Sequence, residues 1–446
     1  MLRIFKKAFL HLRSVEDTIY ALSTAPGKAG IGVIRLSGPR SLAILSELSC
    51  KSTSFFKHGL LKRVNFKRDF VLDCGMAVWF KAPHSFTGQD VVELHIHSSP
   101  AIIKAFYGEL RDSFGLRLAE RGEFTQRAFL NGKLDLVQVE QLGNLIEAES
   151  KAEHRLAILQ GGSSERVNSW RRTMIEARAK LEALIDFSDE DQQAIKTADL
   201  VQRTGEQLHL LVRDLEKAVH DLSKCELIRE GLRVAICGSP NVGKSSLFNA
   251  LLRRDAAIVS SVAGTTRDVL EAELLIGGLK VRLFDMAGIR ERGECEIENI
   301  GIERAREKIK DAHLRIFLTD ERNEHCTIDD CIVVHNKSDL HSHGEIRISC
   351  LKDDISQLTG LLEEEVERRM GNLEEIQFVT QRRHLQYLQR TITFLSDCVA
   401  GLNSDLLLAA ECLRLASREL GMITGVEMIG TEEILGSIFS SFCIGK

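Results

Sequence analysis

Proline and paired cysteine are the two scarcities that narrow this chain first. The 446 residues hold five prolines, Pro26, Pro39, Pro83, Pro100 and Pro240, so 101–239 and 241–446 have none. Proline-free length permits long helices without proving them. The eleven cysteines are odd in number and include no Cys-x-x-Cys pair, which excludes a disulfide framework and reads as reduced thiols in a cytosolic compartment. Cys326 and Cys331, near His325 and His335, fit no zinc spacing and read as a loop followed by a strand start. No apolar run approaches transmembrane length. A formal net charge of -5 gives no global basic field, so a nucleic-acid partner would need a local patch or help from another protein. The opening MLRIFKKAFLHLRSV is basic and acid-free. It reads as a short disordered or helical extension of a cytoplasmic protein, with a mitochondrial presequence as the other reading.

What is present divides the chain by periodicity. DTIYALST, GIGVIRLSG, VLDCGMAVWF and QDVVELHIHSS are strand-like runs between turn residues, followed by a helix over 101–112. Residues 134–222 place apolar side chains at spacings of three and four, as in Met174, Ala177, Leu181 and Leu184, and predict long amphipathic helices. LQYLQRTITFLSDCVAGL and DLLLAAECLRLASREL predict helices again after 376. Between these stretches, RVAICGSP, KVRLFDMAG, LRIFLTD, CIVVHNKSD and EIRISC are short apolar runs separated by helical ones, the pattern of a parallel, helix-flanked sheet.

That alternating region carries the chemistry. GSPNVGKS, Gly238 to Ser245, matches G-x-x-x-x-G-K-[ST] between a strand and a helix. Glycines let backbone N–H groups wrap phosphate oxygens, Lys244 supplies a point charge at the β- and γ-phosphates, and Ser245 offers a hydroxyl to magnesium. NKSD, Asn336 to Asp339, follows another strand, and the Asp339 carboxylate can accept from the N1–H and 2-amino group of guanine, a donor pair that adenine lacks. Lys337 can lie along the base plane. In DMAG, Asp285 can hold magnesium through water, and the Gly288 N–H can reach the γ-phosphate. AGTTRD, Ala263 to Asp268, sits where a switch loop would bring Thr266 to the metal. Ser349, Cys350 and Leu351 could back the base by main-chain contact. The expected nucleotide contacts are therefore Asn241, Val242, Gly243, Lys244, Ser245, Ser246, Ser260, Ser261, Val262, Ala263, Gly264, Thr265, Thr266, Asp285, Met286, Ala287, Gly288, Asn336, Lys337, Ser338, Asp339, Ser349, Cys350 and Leu351.

Beyond these motifs, DTIYALSTAPGKAGIGVIRLSG, SFTGQDVVELHIHS, GEFTQRAFLNGKLDL, IENIGIERA and FSSFCIGK resemble the signatures of the tRNA-modification GTPases called MnmE or TrmE, from Asp17 to Lys446. The resemblance implies an α/β plus α protein. Its parts would be an N-terminal α+β folate-binding and dimerisation domain (1–132) and a helical domain (133–228 and 376–446), split by an inserted Ras-like P-loop G domain (229–375). It implies a GTPase activated by potassium and by G-domain dimerisation. With an FAD-containing partner (MnmG, or GidA), in a heterotetramer, that GTPase would add an aminomethyl or carboxymethylaminomethyl group to C5 of wobble uridine in tRNA. The one-carbon unit would come from 5-formyl- or 5,10-methylene-tetrahydrofolate. Carried over by position, Asn241, Ser260, Val262 and Thr265 match potassium ligands, Ser245 and Thr266 match magnesium ligands, and Glu298 matches the glutamate that orients the attacking water. Arg35, Glu93, Lys133 and Lys446 match folate contacts, and Cys443 matches a cysteine facing that site. Basic groups suit folate carboxylates, and a carboxylate suits pterin N–H donors.

The chain departs from the family pattern at several points. Met286 stands where Thr is usual, and one extra residue precedes IGIER, which loosens the registration of Glu298. SCL replaces the commoner SAK or SAR, and 319–333 is short for a strand-helix-strand link. Taken without the resemblance, Arg35 reads as a solvated strand residue, Glu298 as one acid in a charged helix, and Cys443 as a small hydrophobe. His95 and His97 share a strand face and suit packing or hydrogen bonding better than metal. Arg155, Arg166, Arg171 and Arg172 form a locally basic stretch. Two other functions compete: a regulatory or ribosome-assembly GTPase switch, and a folate-dependent one-carbon transferase with an inserted regulatory domain.

Overall fold

The computed structural model describes residues 17–67, 70–186, 194–239, 241–254, 270–285, 311–320, 331–340, 344–376, 378–379, 381–426 and 432–446. They divide into two compact units. One takes the described residues up to Gly143 together with Ser417–Lys446, and the other takes Asn144–Ala416.

The first unit is built on a six-stranded sheet of β1 (Ile19–Leu22), β2 (Ala29–Ser37), β3 (Lys62–Lys67), β4 (Val71–Phe80), β5 (Val91–Ser98) and β6 (Arg117–Leu118) in the order β3-β4-β5-β2-β1-β6. Alternation explains the strands: in β5 the side chains of Val92, Leu94 and Ile96 are buried while Glu93, His95 and His97 face the other way. The buried face packs with α1 (Ser41–Ser49) and α2 (Pro100–Gly108) around Ile34, Leu36, Ile44, Phe66, Leu94 and Phe106. Pro100 opens α2 at a position whose N–H has no intrahelical partner anyway. The helix expected over 101–112 ends at Gly108 and continues as a π turn, Glu109–Ser113.

On the opposite face, α3 (Glu123–Leu130) lays Phe124 against Ile19 and Ala21. A network of charges ties this helix to β1. Arg127 is 3% exposed and donates to the Asp17 carboxylate at 2.5 Å and to Gln89 Oε1 at 3.0 Å. Arg117 donates to Asp17 at 2.7 Å and to Glu123 at 2.5 and 2.8 Å. Burial pushes the Glu123 carboxyl up, but the Arg117 guanidinium and the Glu120 amide outweigh it and leave Glu123 below the usual range. The helix α4 (Leu136–Glu147) packs Leu136 and Val139 against Leu435, Phe439 and Phe442 of the late segment. The segment then runs alongside β1: Ser23 donates to the Gly445 carbonyl at 3.0 Å, and Arg121 and Ile444 form a bridge. Gly445 has φ +98°, and a Cβ there would lie 2.2 Å from the Leu22 carbonyl, so only glycine fits.

The second unit carries the long helices foreseen from the three-four spacing: α5 (Lys151–Gln160), α6 (Ser163–Asp186), α7 (Ala194–His220) and α8 (Leu222–Glu230), and later α11 (Arg382–Gly401), which follows α9 and α10 below. The start of α5 is a capping box: Ser150 Oγ accepts the Glu153 amide at 3.1 Å, and the Glu153 carboxylate accepts the Ser150 amide at 2.9 Å.

Its sheet has the order β11-β10-β7-β9-β8, from β7 (Leu232–Gly238), β8 (Leu270–Ile276), β9 (Leu279–Asp285), β10 (Leu314–Thr319) and β11 (Cys331–His335). Four of these strands are parallel, as the pattern predicts, whereas β8 runs antiparallel to β9 as a hairpin. The helices α9 (Lys244–Arg254) and α10 (Ser356–Met370) belong to the same unit, and Leu247, Leu251, Leu358, Leu362 and Val366 join its core. EIRISC was expected as a strand. It forms only the isolated bridges His335↔Arg347 and Ser349↔Asp354, because the chain turns there instead of extending the sheet. The helix α12 (Leu406–Thr424) crosses the division between the units, and α13 (Glu432–Ser440) precedes the last residues. Among the described residues, no helix is long and apolar enough to cross a membrane.

Candidate functional site

The phosphate-binding loop leaves the C-terminal end of β7 and enters α9, the strand-to-helix turn that aims backbone N–H groups at an anion. Two backbone positions make the turn possible. Gly238 has φ +137°, and a Cβ there would sit 2.0 Å from the Leu318 carbonyl of the neighbouring β10. Gly243 has φ +102°, and its Cβ would lie 2.4 Å from Asn336 Nδ2. Asn241 takes φ +62°, a left-handed conformation that asparagine tolerates. Val242 is buried beneath the loop, and the Ser245 and Ser246 residues at the start of α9 are exposed. The Lys244 ammonium folds over the loop and donates to the carbonyls of Gly238 at 2.9 Å and Ser239 at 2.7 Å.

The tetrad after β11 meets this loop directly. Buried Asn336 donates from Nδ2 to the Val242 carbonyl at 2.7 Å, and its Oδ1 accepts the Cys350 amide at 3.2 Å. One carboxamide thus joins the phosphate loop, the NKSD segment and the SCL segment. Asp339 Oδ1 accepts the Ser349 hydroxyl at 2.8 Å, which orients the carboxylate. The Lys337 ammonium pairs with Asp320, a residue that motif reading missed, since its only signal is its place just after β10. Burial pushes the Cys350 thiol up to about 11, so it stays neutral and serves through its amide. Leu351 is exposed.

Asp285 ends β9, paired with Ile236 and Leu270. Ser260, Ser261, Val262, Ala263, Gly264, Thr265, Thr266, Met286, Ala287, Gly288 and Glu298 lie outside the described residues, as does Cys326. Cys331 is the first residue of β11.

The first unit gathers the second set of expected contacts. Arg35 and Glu93 face each other across β2 and β5, with Arg35 Nη2 2.9 Å from Glu93 Oε1. The Arg35 guanidinium lies 5.5 Å from the Phe86 ring centroid and 5.8 Å from that of Phe124. These two rings hold the arginine in place. Both sit in Phe-Thr pairs of the quoted signatures, the one sequence signal that could have flagged them. His95 Nε2 lies 3.6 Å from the other Glu93 oxygen. The His95 ring, and then the Arg35 charge, hold the Glu93 carboxyl below the ordinary carboxylate range against the opposing effect of burial. His97 binds Asp73 at 2.9 Å, so both histidines make polar contacts along one face, and the described residues contain no metal-ligating cluster. Lys133 donates to the Pro83 carbonyl at 3.1 Å, at the turn that carries Phe86. Lys446 follows Gly445, which is docked on Ser23 beside β1, and its amide lies 3.4 Å from the Cys443 carbonyl. Cys443 is exposed.

A phosphate loop bonded to an NKSD tetrad, at the carboxyl ends of parallel strands, defines a guanine-nucleotide-binding domain of the P-loop class. Comparison with known proteins then specifies the family. Residues 18–133 match the family model for the GTP-binding protein TrmE N-terminus, and residues 136–443 match that for the MnmE helical domain. The tRNA modification GTPase MnmE of Rickettsia bellii (strain RML369-C) is 42% identical over 456 residues, covering 96% of this chain and 100% of that protein. The protein of the same description from Rickettsia akari (strain Hartford) is 42% identical over 455 residues, with the same coverage. A solved structure of Era from Aquifex aeolicus aligns with 24% identity over 36% of this chain and 66% of that one at a TM-score of 0.23, an overlap too small to bear on the fold. The chain belongs to the MnmE (TrmE) family of tRNA modification GTPases.

Proposed function

We propose that this protein binds and hydrolyses GTP with magnesium in an inserted G domain (229–375), and that the cycle gates modification of tRNA wobble uridine. The observation that carries the nucleotide part is the Asn336 carboxamide bridging Val242 and Cys350, which brings the base-reading and phosphate-binding segments to one place. There the loop amides and Lys244 would hold the phosphates, Asp339 would select guanine, and Ser245 with Thr266 would hold magnesium. Potassium at Asn241, Ser260, Val262 and Thr265 would supply the positive charge that an arginine finger brings elsewhere, and Glu298 would orient the attacking water.

The donor set of the first unit suits a tetrahydrofolate. Glu93 is kept ionised beside Arg35 and can accept pterin N–H groups, while Lys133 and Lys446 offer cations for glutamyl carboxylates. The folate, when bound, supplies the one-carbon unit. Cys443, exposed and close in the chain to Lys446, would face it. The remaining parts of the reading are a homodimer through the first unit, an FAD-containing MnmG (GidA)-like partner and a cytoplasmic location.

The test is GTP hydrolysis in potassium against sodium, together with analysis of wobble uridine in cells lacking the protein. Hydrolysis that ignores the cation removes the potassium site. Fully modified wobble uridine leaves a regulatory GTPase as the surviving reading. Glu298→Ala should leave GTP binding intact and slow turnover, and normal turnover would show that Glu298 is out of register.

A further inference from the structure

We propose that the outer edge of the six-stranded sheet, from Lys51 to Lys67, is an RNA-contact surface on which lysine ammonium groups take phosphates and the Phe55 ring stacks an unpaired base. The inference rests on the reading of this protein as one that acts on tRNA, and it assigns where the RNA touches the first unit.

Charge makes the case first. From Ser49 to Arg68 the sequence has Lys51, Lys57, Lys62, Arg63, Lys67 and Arg68 with no Asp or Glu, in a chain whose net charge is -5. Elsewhere on the surface, several exposed arginines are paired within their own helices or with a neighbour: Arg203 with Asp199, Arg368 with Glu365, Arg382 with Glu226, Arg414 with Glu411. On α5 and α6, Arg155 is paired with Glu374 at 3.6 Å and Arg166 with Asp214 at 3.0 Å. Among the described residues, no carboxylate comes within 4.0 Å of Lys51, Lys57, Lys62, Arg63 or Lys67.

Geometry adds the aromatic part. Phe55 sits on a one-turn 3-10 segment, Thr53–Phe55, and is 37% exposed. The Lys51 and Lys62 ammonium groups lie 5.7 and 5.5 Å from its ring centroid, so two like charges converge on one exposed ring. Buried Phe56 meets the Phe55 ring edge-on at 5.1 Å, which steadies it. Leu60, Leu61 and Phe70 nearby in the chain are also exposed. A partly exposed ring with cations close to it is a combination by which proteins hold single-stranded nucleic acid: a base stacks on the ring as the ammonium groups swing out to the backbone phosphates. An acidic membrane surface would also attract lysines, but the patch lies on a strand edge and a short turn and lacks the amphipathic helix that inserts into lipid.

The test uses the full chain and a tRNA transcript, with affinity measured by fluorescence anisotropy across a salt series. Lys51→Gln/Lys62→Gln should lower affinity roughly tenfold and flatten the log–log salt slope by about 1.4, the value for two lost contacts to a single strand. Phe55→Leu should weaken binding by about fivefold or more with the slope unchanged. Thermal melting followed at Trp79 should match the unsubstituted chain in each variant, which shows that the first unit is folded. If the unsubstituted chain binds and the variants bind equally with the same slope, this surface is wrong while the tRNA reading stands. If the unsubstituted chain retains no tRNA, that reading falls and takes this one with it. Sedimentation with phosphatidylserine vesicles that depends on the same lysines, with tRNA binding unaffected, would overturn the proposal in favour of a lipid surface.

Discussion

The Asn336 carboxamide donates to the Val242 carbonyl at 2.7 Å across 94 positions of sequence, so one side chain sets the spacing between the phosphate loop and the base-reading loop. Replacing it leaves a buried carbonyl at Val242 and the Cys350 amide without their partner. Asn336→Ala should cost about 1–3 kcal/mol of binding free energy, a loss of roughly 5- to 150-fold in guanine-nucleotide affinity. Titration with a fluorescent GDP analogue measures it, and an unchanged dissociation constant would dissociate the two loops functionally.

Asp339 is held by the Ser349 hydroxyl at 2.8 Å, with its carboxylate directed by a fixed donor. A carboxamide in its place presents a donor where guanine also presents one. Asp339→Asn should therefore weaken GTP by at least about tenfold and favour xanthosine triphosphate, whose C2 carbonyl can accept. Competition binding between the two nucleotides decides the matter. Retained guanine preference would remove Asp339 from base recognition.

Arg127 is buried among Asp17, Gln89 and Glu123 and carries the junction of β1 with α3. Its removal strands two carboxylates with only Arg117 to compensate them. Arg127→Leu should destabilise the first unit by about 3–5 kcal/mol, as breaking one side of a buried ion pair does. Thermal melting followed by tryptophan fluorescence, with Trp79 in this unit and Trp170 in the other, can locate the loss. A melting point unmoved for the Trp79 signal would show the network to be dispensable.

His313 gives the second unit a pH response. Its Nδ1 accepts the Arg233 amide at 3.1 Å, and the Arg233 guanidinium lies 3.0 Å from Nε2. Burial first, then the charges of Arg233 and Arg369, push the imidazole below its ordinary value of 6.5. Because the folded state disfavours the charged ring, the unfolded state binds more protons once pH falls below 6.5, and stability drops there. The contribution is fully present above that value. Urea midpoints taken from pH 7.5 down to about 5.5 should decline, and His313→Gln should flatten the decline. Equal slopes in the two proteins would clear His313 of the effect.

Much of this was legible because burial leaves a period in the sequence. Ile34, Leu36, Val92, Leu94 and Ile96 alternate with half-exposed residues, and the run marks β2 and β5. The phosphate loop and NKSD were legible because backbone geometry restricts residue choice: Gly238 and Gly243 stand where any side chain would collide with Leu318 or Asn336. Of the edge strands, β11 was legible but β3 and β8 were not. β3 reads KRVNFK, where the cations of an unpaired border hide the two buried positions, Val64 and Phe66. β8 alternates Glu271 and Glu273 with apolar residues and runs antiparallel, so the expected parallel order missed it. In EIRISC, Ile346 and Ile348 do pair with His335 by backbone hydrogen bonds, but the turn that places Ser349 beside Asp339 stops the ladder. The Asp17, Arg117, Glu123 and Arg127 cluster was invisible because its acids and bases come together only after the sheet has formed, and charge alone says nothing about partners a hundred positions away.

The docking of Gly445 beside Leu22 and Ser23 has a consequence for biosynthesis. The ribosome completes all of the second unit before it makes the strip that covers β1. Until then the flank of β1 near Leu22, and the pocket that Phe439 and Phe442 fill over Leu136 and Val139, stand open on the nascent protein. The part of the first unit made before the second is therefore the last to close, and a translation pause ahead of residue 432 would expose it to chaperones and proteases for as long as the pause lasts.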